Sequence, residues 1–356
     1  MAWLTGFNWR APITANTSAL TTTEVNIPLP AFLPTLTGKR LQAAWQDVNF
    51  TDVDGTTLLD WYLEIKSDTV GVAHIKVPSL TFGNAALPVG YLYTGNAAVA
   101  DQSDEAGTFS SMVARYSMAD VGPTTIYDST VNDKDSTTVY NSPTFGAAGQ
   151  IGNAISFASA SSQWALFPVQ TVLTASVSLS AWINLTVPTK GCVLSVGLAG
   201  GFGYGIGIGS GDWDTNGSSV VAVYGNVRWI APAAPITSGW HHIALVIDAS
   251  GVPTLYVDGV TSGPVAGAGP GAPATSSGIA NYTGAARYFN GSVDEARVHA
   301  AQRTDSWLNA EYLAGSNSLF TFGAWEAAVS GHPALRRLGL FPTGFEFDRS
   351  RQTRWA

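Results

Sequence analysis

The sequence predicts an all-β protein made of two tandem β-sandwiches followed by a short irregular C-terminal tail. Of its 356 residues, 46% are apolar and only 12% are charged. This balance, together with many Thr and Ser and few strong helix formers, favours sheets over helices. Short apolar runs alternate with Gly, Pro and Asp turn signals, as in antiparallel sheets. The length is sufficient for two domains that each bury a core.

The first domain is predicted over residues 1–110 as a small β-sandwich. Its third strand-like run alternates, so that Trp61, Leu63 and Ile65 would face one side of a half-buried sheet. The polar, non-periodic segment 100–111 predicts a linker to the second domain. The five runs predicted as strands are 24–29, 41–47, 59–65, 72–77 and 89–93.

The second domain is predicted over residues 111–314 and is also rich in strands. One helix is expected from Thr304, whose hydroxyl can cap it, with Trp307, Leu308 and Glu311 at helical spacing. Four stretches define the domain: SLSAWIN (178–184), GWHHIALVID (239–248), LYVDGV (255–260) and YFNGSVDEARV (288–298).

In order and spacing, these four stretches resemble the laminin-G-like / concanavalin A-like lectin jelly roll over about residues 112–313. The resemblance implies a scaffold for binding rather than for chemistry. The chain departs from the family after Phe157, where an acidic loop is usual. Here residues 158–164 read ASASSQW and contain no carboxylate.

The first segment resembles a bacterial and phage β-sandwich domain of unknown function that commonly precedes such jelly rolls. The positions that carry this resemblance are WRAPI (9–13), VNFTDVDGTTLL (48–59), Glu64, HIKVP (74–78) and YLYTGN (91–96). The family has no known activity. The pairing of the two domains resembles that of phage virion surface proteins.

Catalysis is not predicted, although the jelly-roll family includes glucan hydrolases. A glycosidase needs two carboxyls about 5 Å apart, or about 6.5–9.5 Å apart, on one face. Asp294 and Glu295 are adjacent, and adjacent strand residues point to opposite faces. We therefore expect one of them to satisfy buried backbone or Arg297. His241 and His242 diverge in the same way, and a packing role is expected for them.

A calcium site is the one cofactor hypothesis that the sequence raises. Asp212, Asp214 and Asn216 precede Gly217 at alternating positions, as in the first half of a calcium loop. The closing Glu is missing, because Val223 stands in its place, and a plain hairpin turn explains the same residues. Asp52-Val-Asp-Gly55 is a weaker candidate that reads as a β-turn. No other cofactor is predicted.

Aromatic side chains are the candidate glycan contacts, since sugar sites combine aromatic platforms with a few polar groups. Trp213 lies in a predicted turn and is the best exposed candidate. Trp164, Tyr224 and Trp229 lie on or near strands, where core packing is the alternative.

The segment 315–356 is predicted to be a basic, aromatic anchoring tail. After Gly331 it carries five arginines against two carboxylates, a net charge of about +3, whereas the whole chain has −8. A solvated terminus is the alternative. The acidic body disfavours nucleic acid, and the mixture of Arg with large apolar groups is typical of protein interfaces. The residues expected to clamp another subunit are Arg336, Arg337, Leu338, Phe341, Phe345, Arg349 and Arg351.

These observations predict a non-enzymatic phage virion structural protein, either a capsid decoration, a head fibre or a tail-associated protein. Its partners would be other virion proteins, further copies of itself and a host surface glycan. The N-terminus lacks a secretory pattern and Cys192 is the only cysteine, so synthesis in the host cytoplasm is expected. No membrane span is predicted. A bacterial cell-surface carbohydrate-binding protein and a divergent glycan hydrolase are the alternatives.

Overall fold

A computed structural model describes residues 2–168, 176–199, 202–210, 215–224, 228–229, 235–264, 276–282 and 286–328. Within these ranges the strands form four sheets whose strand pairs are antiparallel, accompanied by two short helices and one 3₁₀ turn. The prediction of an all-β protein is therefore confirmed.

The first sandwich pairs a five-stranded sheet with a three-stranded sheet. The larger sheet has the order β22-β1-β6-β3, with β23 also on β1, and the smaller has the order β2-β5-β4. Its strands are β1 (Trp9–Ala15), β2 (Glu24–Phe32), β3 (Asn49–Thr51), β4 (Trp61–Ile65), β5 (Val72–Leu80), β6 (Leu87–Thr94), β22 (Phe320–Phe322) and β23 (Glu326–Ala327).

The run 41–47 was expected to be a strand, but it forms turns. The Leu41 N–H and the Gly95 N–H both donate to Asp47 Oδ2, at 2.6 and 3.1 Å. Trp45 has a φ of +71°, outside the strand region. The strand prediction was wrong because alternation of apolar and polar residues does not reveal a carboxylate that gathers backbone donors.

The end of the described chain returns to the first sandwich. Although 315–356 was expected to be irregular, β22 and β23 pair with β1, with Ile13 opposite Phe322 and Arg10 opposite Glu326. Arg10 Nε also donates to Glu326 Oε2 at 2.7 Å. These strands pair an edge of β1 that would otherwise present unpaired backbone groups.

The second sandwich is a jelly roll of an eight-stranded and a seven-stranded sheet. The first has the order β19-β18-β17-β12-β21-β10-β9 with β7 also on β21, and the second has the order β16-β15-β14-β13-β20-β11-β8. The strands are β7 (Ala114–Tyr116), β8 (Thr138–Tyr140), β9 (Thr144–Ala148), β10 (Asn153–Phe157), β11 (Trp164–Phe167), β12 (Val177–Leu185), β13 (Gly191–Ala199), β14 (Phe202–Gly209), β15 (Ser219–Tyr224), β16 (Arg228–Trp229), β17 (Gly239–Ile247), β18 (Pro253–Val257), β19 (Val260–Pro264), β20 (Ser277–Ile279) and β21 (Gly291–His299). The 3₁₀ turn spans Ser159–Ser161.

Helix α2 (Asp305–Gly315) confirms the one helix expected in the second domain. Thr304 caps it, because its hydroxyl oxygen accepts the Trp307 N–H at 3.0 Å. The helix packs on the first sandwich: Ser306 Oγ accepts the backbone N–H groups of Thr21 and Thr22, each at 2.9 Å. Helix α2 therefore belongs to the second domain in the sequence but packs against the first domain as well.

The two sandwiches share one of the two large apolar cores. Ala244, Val246 and Tyr256 of the jelly roll and Trp307 and Leu308 of α2 pack with the core of the first sandwich. The segment expected to be a linker also contacts both sandwiches, because the Phe109 ring packs against His74 of the first sandwich and Arg115 of the jelly roll. It forms helix α1 (Glu105–Thr108), and Phe109 behind it is fully buried.

Candidate functional site

The eight-stranded sheet of the jelly roll is closed off on both sides. One side faces the jelly-roll core, which contains Val293, Ala296 and Val298 of β21. The other side faces the first sandwich and α2, and it carries Ser180, His242, Asp294, Glu295, Arg297 and His299, all of them buried. The described residues on this side of the sheet are therefore shielded from solvent by the first sandwich and α2.

A β-bulge in β21 places two adjacent carboxylates on the same face. The register with β12 shifts between Ser180 and Trp182, and Glu295 has a φ of +50°. An extra residue in one strand interrupts the alternation of side chains. The expectation that Asp294 and Glu295 point to opposite faces was therefore wrong, although the structural roles expected of them are found.

Both carboxylates of this pair are occupied by protein partners. Asp294 Oδ2 accepts the Ile151 N–H at 2.8 Å, and Glu295 Oε2 accepts Arg297 Nη2 at 2.8 Å. Asp294 is 0% exposed and Glu295 is 2% exposed. Burial, and then the neighbouring Glu295 charge, raise the pKa of Asp294 well above its usual range. Neither group is accessible to a substrate.

Arg115 of β7 lies at the centre of a charged cluster that joins the two sandwiches. Its Nη2 donates to Glu64 Oε2 at 2.8 Å, to His74 Nε2 at 3.0 Å and to Glu295 Oε1. The guanidinium also lies 4.2 Å from the ring centre of Phe109. Glu64 and His74 come from the first sandwich, whereas Arg115 and Glu295 belong to the jelly roll. The contact between domains is therefore ionic at this point.

The cluster continues to helix α2 through Arg297. Glu311 accepts hydrogen bonds from Arg297 Nη1, from Trp307 Nε1 and from Ser180 Oγ, each at 3.0 Å. Burial raises the pKa of Glu311, but Arg297, His242 and His299 outweigh it and hold that pKa well below its usual range. Glu311 is therefore ionised and fully paired.

The same cluster contains a ligand set of the kind that metals use. One ligand atom from each of Glu64, His74 and Glu295 lies within 4.8 Å of the other two. All three atoms, however, contact Arg115 Nη2, so the guanidinium already supplies the positive charge. Burial, and then the charge of Arg115, lower the pKa of His74 well below 6.5. His74 is therefore neutral, and its Nε2 accepts from Arg115.

These cluster residues were missed by the sequence reasoning, except for the Asp294–Arg297 stretch. Glu64, His74 and Arg115 each interrupt a strongly apolar strand. Charged residues are seldom buried unless they are paired, so that interruption was a usable signal. What the sequence did not indicate was which strand of the other domain would supply the partner.

Of the candidate glycan contacts, Trp164 is the one whose side chain is described. It is half-buried, packs against the jelly-roll core and stacks on Tyr140 of β8, with ring centres 4.6 Å apart and planes 5° apart. Tyr224 pairs with Tyr204, and Trp229 pairs with Val223, in the backbone register of the seven-stranded sheet. Trp213 lies outside the described residues. Trp164 is thus the candidate whose surroundings the described residues show.

Two of the three predicted calcium ligands also lie outside the residues that the structure describes. Asp212 and Asp214 lie outside the described residues, whereas Asn216 Oδ1 accepts the Lys190 N–H at 3.3 Å. The weaker candidate at 52–55 is a turn, in which Asp54 Oδ1 accepts the N–H groups of Thr56 and Thr57. The clamp residues Arg336, Arg337, Leu338, Phe341, Phe345, Arg349 and Arg351 lie beyond the described residues too.

The seven-stranded sheet has a small apolar cluster on the side opposite its core. Ile206 and Ile208 of β14 point into the core. On the other side Cys192, Val221, Val223 and Tyr282 form a separate buried cluster, with no first-domain residue among its described members. Burial raises the pKa of the Cys192 thiol. This cysteine is therefore a protonated packing residue and not a nucleophile.

A cleft of about 590 Å³ opens where the two sandwiches meet, and it is lined in part by carboxylates. Glu64, Glu105 and Asp120 line it, together with Tyr62 and Tyr127. Burial raises the pKa of Asp120 to about 6, and burial also raises the pKa of Glu64. Carboxyls with raised pKa values in a cleft are the groups used in general acid catalysis.

Family models match both domains. Residues 157–309 match the concanavalin A-like lectin/glucanases superfamily, and residues 44–114 match a domain of unknown function, DUF2341. No curated protein sequence matches the chain. None of the helices in the described ranges is long and apolar enough to span a membrane.

Three solved structures illustrate the similarity. Domain 4 of a Geobacillus stearothermophilus extracellular arabinanase, in complex with arabinotriose, is 22% identical over 57% of this chain and 98% of that domain, with a TM-score of 0.42. The binding domain of botulinum neurotoxin serotype D is 9% identical over 57% of this chain and 50% of its own length (TM-score 0.44). Trypanosoma rangeli sialidase is 14% identical over 75% and 44% (TM-score 0.43).

The chain thus spans about half the length of the neurotoxin binding domain and less than half of the sialidase. The predicted resemblance to the two domain families is confirmed, and the resemblance to phage proteins stays a prediction. The chain contains a concanavalin A-like domain over 157–309, preceded by a domain that matches DUF2341 over 44–114.

Proposed function

We propose that this protein is a non-enzymatic structural protein of a phage particle, displayed as a capsid decoration, a head fibre or a tail-associated protein. Its jelly roll binds a host-surface glycan on the side that faces away from the first sandwich. The observation that carries the proposal is the closure of the eight-stranded sheet by the first sandwich and α2. Only the other side of the jelly roll and its rims remain for recognition.

The stacked pair Trp164–Tyr140 is the described part of the proposed glycan site. Both rings are half-buried and lie at the β8–β11 end of the seven-stranded sheet. Aromatic faces beside polar groups suit sugar rings. Trp213, Tyr224 and Trp229 are proposed to extend the site, and Asp212, Asp214 and Asn216 to hold calcium beside it.

The non-enzymatic part of the proposal is supported by the state of the acidic pair on β21. Asp294 and Glu295 are buried and bonded to protein groups. Catalysis requires an acid or base within hydrogen-bonding reach of the substrate. These two groups have no such reach while the sandwiches are in contact.

Glycan-array binding of the full chain tests the glycan part. Trp164→Ala is expected to weaken binding about tenfold, the equivalent of roughly 1.4 kcal/mol. Phe82→Ala is the matched control, because Phe82 is 51% exposed on the first sandwich and belongs to no described cluster. Equal losses in the two variants, or no binding by the wild type, would remove the jelly roll as the glycan-binding domain.

Particle incorporation tests the virion part. We expect the native chain in purified phage particles, and we expect a chain that ends at residue 330 to be lost from them because it lacks the proposed arginine and phenylalanine clamp. Unchanged incorporation of the shortened chain would contradict the clamp. Export of the chain from an uninfected bacterium would favour a cell-surface carbohydrate-binding protein instead.

A glycan hydrolase is the second candidate, and the cleft between the sandwiches is the observation that favours it. Asp120, with its pKa raised to about 6, would act as the general acid, and Glu64 lines the same cleft. Release of oligosaccharides from a glycan panel, abolished in a folded Asp120→Asn variant, would replace the non-enzymatic proposal with this one. Release that survives Asp120→Asn would exclude Asp120 as the general acid.

A further inference from the structure

The first sandwich contains a pocket that the proposed function does not use. Its volume is about 470 Å³, within the usual range for small-molecule sites. Its walls come from the N-terminal segment 3–7, the start of β3, the turn at 56–58 and the loop 96–102. None of the side chains lining it is charged. It lies in the domain that matches a family of unknown function.

Asn49, at the start of β3, lines this pocket with an unused hydrogen-bond acceptor. Asn49 is 1% exposed, and its Nδ2 donates to the Gln46 carbonyl at 3.2 Å. Its Oδ1 has no protein donor. A buried acceptor left unpaired costs about 1–3 kcal/mol. A ligand that brings a hydroxyl or N–H group to this oxygen recovers that free energy.

The N-terminal part of the lining is aromatic and is held in place by polar contacts. Trp3 Nε1 donates to the Phe7 carbonyl at 2.8 Å, and the Trp3 ring meets Tyr93 edge-on, with ring centres 5.8 Å apart. The Arg10 guanidinium lies 4.4 Å from the ring centres of both Trp3 and Tyr91. Trp3 is therefore a preorganised apolar surface rather than a loose terminal side chain.

The loop that forms the rim adds amide groups. Asn96 Oδ1 accepts the Ala98 N–H at 3.0 Å, and Gln42 Nε2 donates to the carbonyls of Asn96 and Val99 at 2.7 and 2.9 Å. These bonds fix the loop. Asn96 and Gln102 line the pocket together with the exposed residues Thr5 and Thr56. Gln102 Nε2 donates to the carbonyls of Ala100 and Asp101, at 3.4 and 3.2 Å.

We propose that this pocket binds one neutral sugar unit, with a sugar hydroxyl donating to Asn49 Oδ1 and an apolar ring face against the Trp3 wall. A charged ligand would be desolvated with no opposite charge to meet it. A wholly apolar ligand would leave Asn49 Oδ1 unpaired. A neutral sugar ring can donate a hydroxyl hydrogen bond to Asn49 Oδ1 and can also place an apolar face against Trp3. The site is separate from the jelly-roll site and does not depend on it.

Saturation-transfer NMR and isothermal titration of the full chain with glucose, galactose, mannose, N-acetylglucosamine and their β-linked disaccharides test this site. The chain carries Trp164→Ala, so that the jelly-roll site proposed above does not contribute. We expect transfer to at least one of these sugars and a shift of the Trp3 indole N–H resonance in the heteronuclear spectrum.

Two variants locate the binding. Leu58→Trp alters a rim residue that is 44% exposed, so it fills the mouth of the pocket without touching the core. Asn49→Leu removes the acceptor. Asn49→Leu is expected to weaken binding at least about tenfold, the effect of one hydrogen bond to an otherwise unpaired buried group. Leu58→Trp is expected to weaken it at least as much, because the larger side chain blocks entry of the sugar. Phe82→Ala is expected to bind as before.

The outcomes separate this site from the jelly-roll site. Binding that Leu58→Trp leaves unchanged would overturn the proposal even if Asn49→Leu fails to fold, because the mouth would then not be the entrance. No binding of any sugar in the panel would overturn it as well. In either case the glycan-array result for the jelly roll would stand unaffected.

Discussion

The two outer faces of the jelly roll differ in charge and in what they contact. The face of the eight-stranded sheet carries Asp294, Glu295, Arg297 and His299 and is covered by the first sandwich and α2. The buried side chains described on the outer face of the seven-stranded sheet are uncharged: Cys192, Val221, Val223 and Tyr282. Both faces belong to antiparallel sheets, but the buried side chains described on one face include charged groups and those described on the other do not.

This difference indicates a permanent interface on one side. Buried ions are tolerated only when each has its partners in good geometry. Arg115 meets Glu64, His74 and Glu295 at once in the observed arrangement of the sandwiches. The charged face therefore fixes one arrangement of the two domains. The uncharged cluster on the other face requires no ionic partners and does not fix the position of a neighbouring domain.

The largest expected effect comes from removing the central cation of the charged face. Arg115→Met leaves Glu64 and Glu295 buried without their main partner, and we expect a loss of about 3–5 kcal/mol in the free energy of unfolding. Urea denaturation followed by fluorescence measures it. Lys66→Met, at an exposed position, is the control and should change stability by less than about 0.5 kcal/mol. A similar small change for Arg115→Met would mean that the interface does not depend on the cluster.

Truncation of the shared apolar core comes next. Leu308 of α2 is 0% exposed within the core of the first sandwich, so Leu308→Ala should cost about 2–5 kcal/mol. Because the sandwiches share this core, we expect one calorimetric transition that moves to lower temperature as a whole. Two transitions, with only one of them shifted, would show that the domains unfold independently.

Acidification should weaken the interface through His74. Its pKa in the folded protein is lowered well below 6.5 by burial, whereas the unfolded chain takes up a proton near pH 6.5. The unfolded state then binds more protons below that pH, so stability is lost as the pH falls from 6.5 toward the folded pKa.

The loss of stability at low pH that is due to His74 can be measured by comparison with a variant that lacks this histidine. The slope for one histidine is up to about 1.4 kcal/mol per pH unit. His74→Gln keeps an acceptor for Arg115 and removes this proton, so its stability should fall less between pH 6.5 and 5 than that of the wild type. Parallel urea midpoints for the two proteins across this range would contradict a neutral His74.

The smallest effect is expected from treating the native protein with a thiol reagent, because Cys192 lies in the buried cluster of the seven-stranded sheet. Cys192 is 0% exposed and its thiol pKa is raised by burial, so a thiol reagent at pH 8 should leave the native protein unmodified. The single cysteine should react fully in denaturant. Rapid reaction of the native protein would show that this side of the sheet opens readily.

Much of the fold was predictable because it follows from local pattern. Alternating apolar residues located β4, the family resemblance located the stretches of β12 and β17, and Thr304 correctly indicated the start of α2. The structural role of Asp294 and Glu295 was also predictable, since isolated carboxylates in an apolar strand need partners. The bulge that places both on one face was not, because it depends on the pairing of β21 with β12.

The candidate sites were less predictable, since they are formed by residues far apart in the chain. Trp3, Asn49 and Asn96 meet only because β1, β3 and β6 share a sheet and the N-terminal segment folds across its end. Glu64 and Arg115 meet only because the sandwiches pack together. No spacing in the sequence encodes either contact.

The sequence by itself determined the all-β class and several strands, because strand periodicity and turn chemistry are local properties of the chain. Short motifs, which are local as well, indicated the resemblance to the two domain families. Only the tertiary structure decided that the sandwiches share a core, that residues 320–327 return to β1, and that Arg115 rather than a metal neutralises Glu64 and Glu295. These features arise from burial. Once charged and apolar groups leave water, they must find partners wherever the fold provides them.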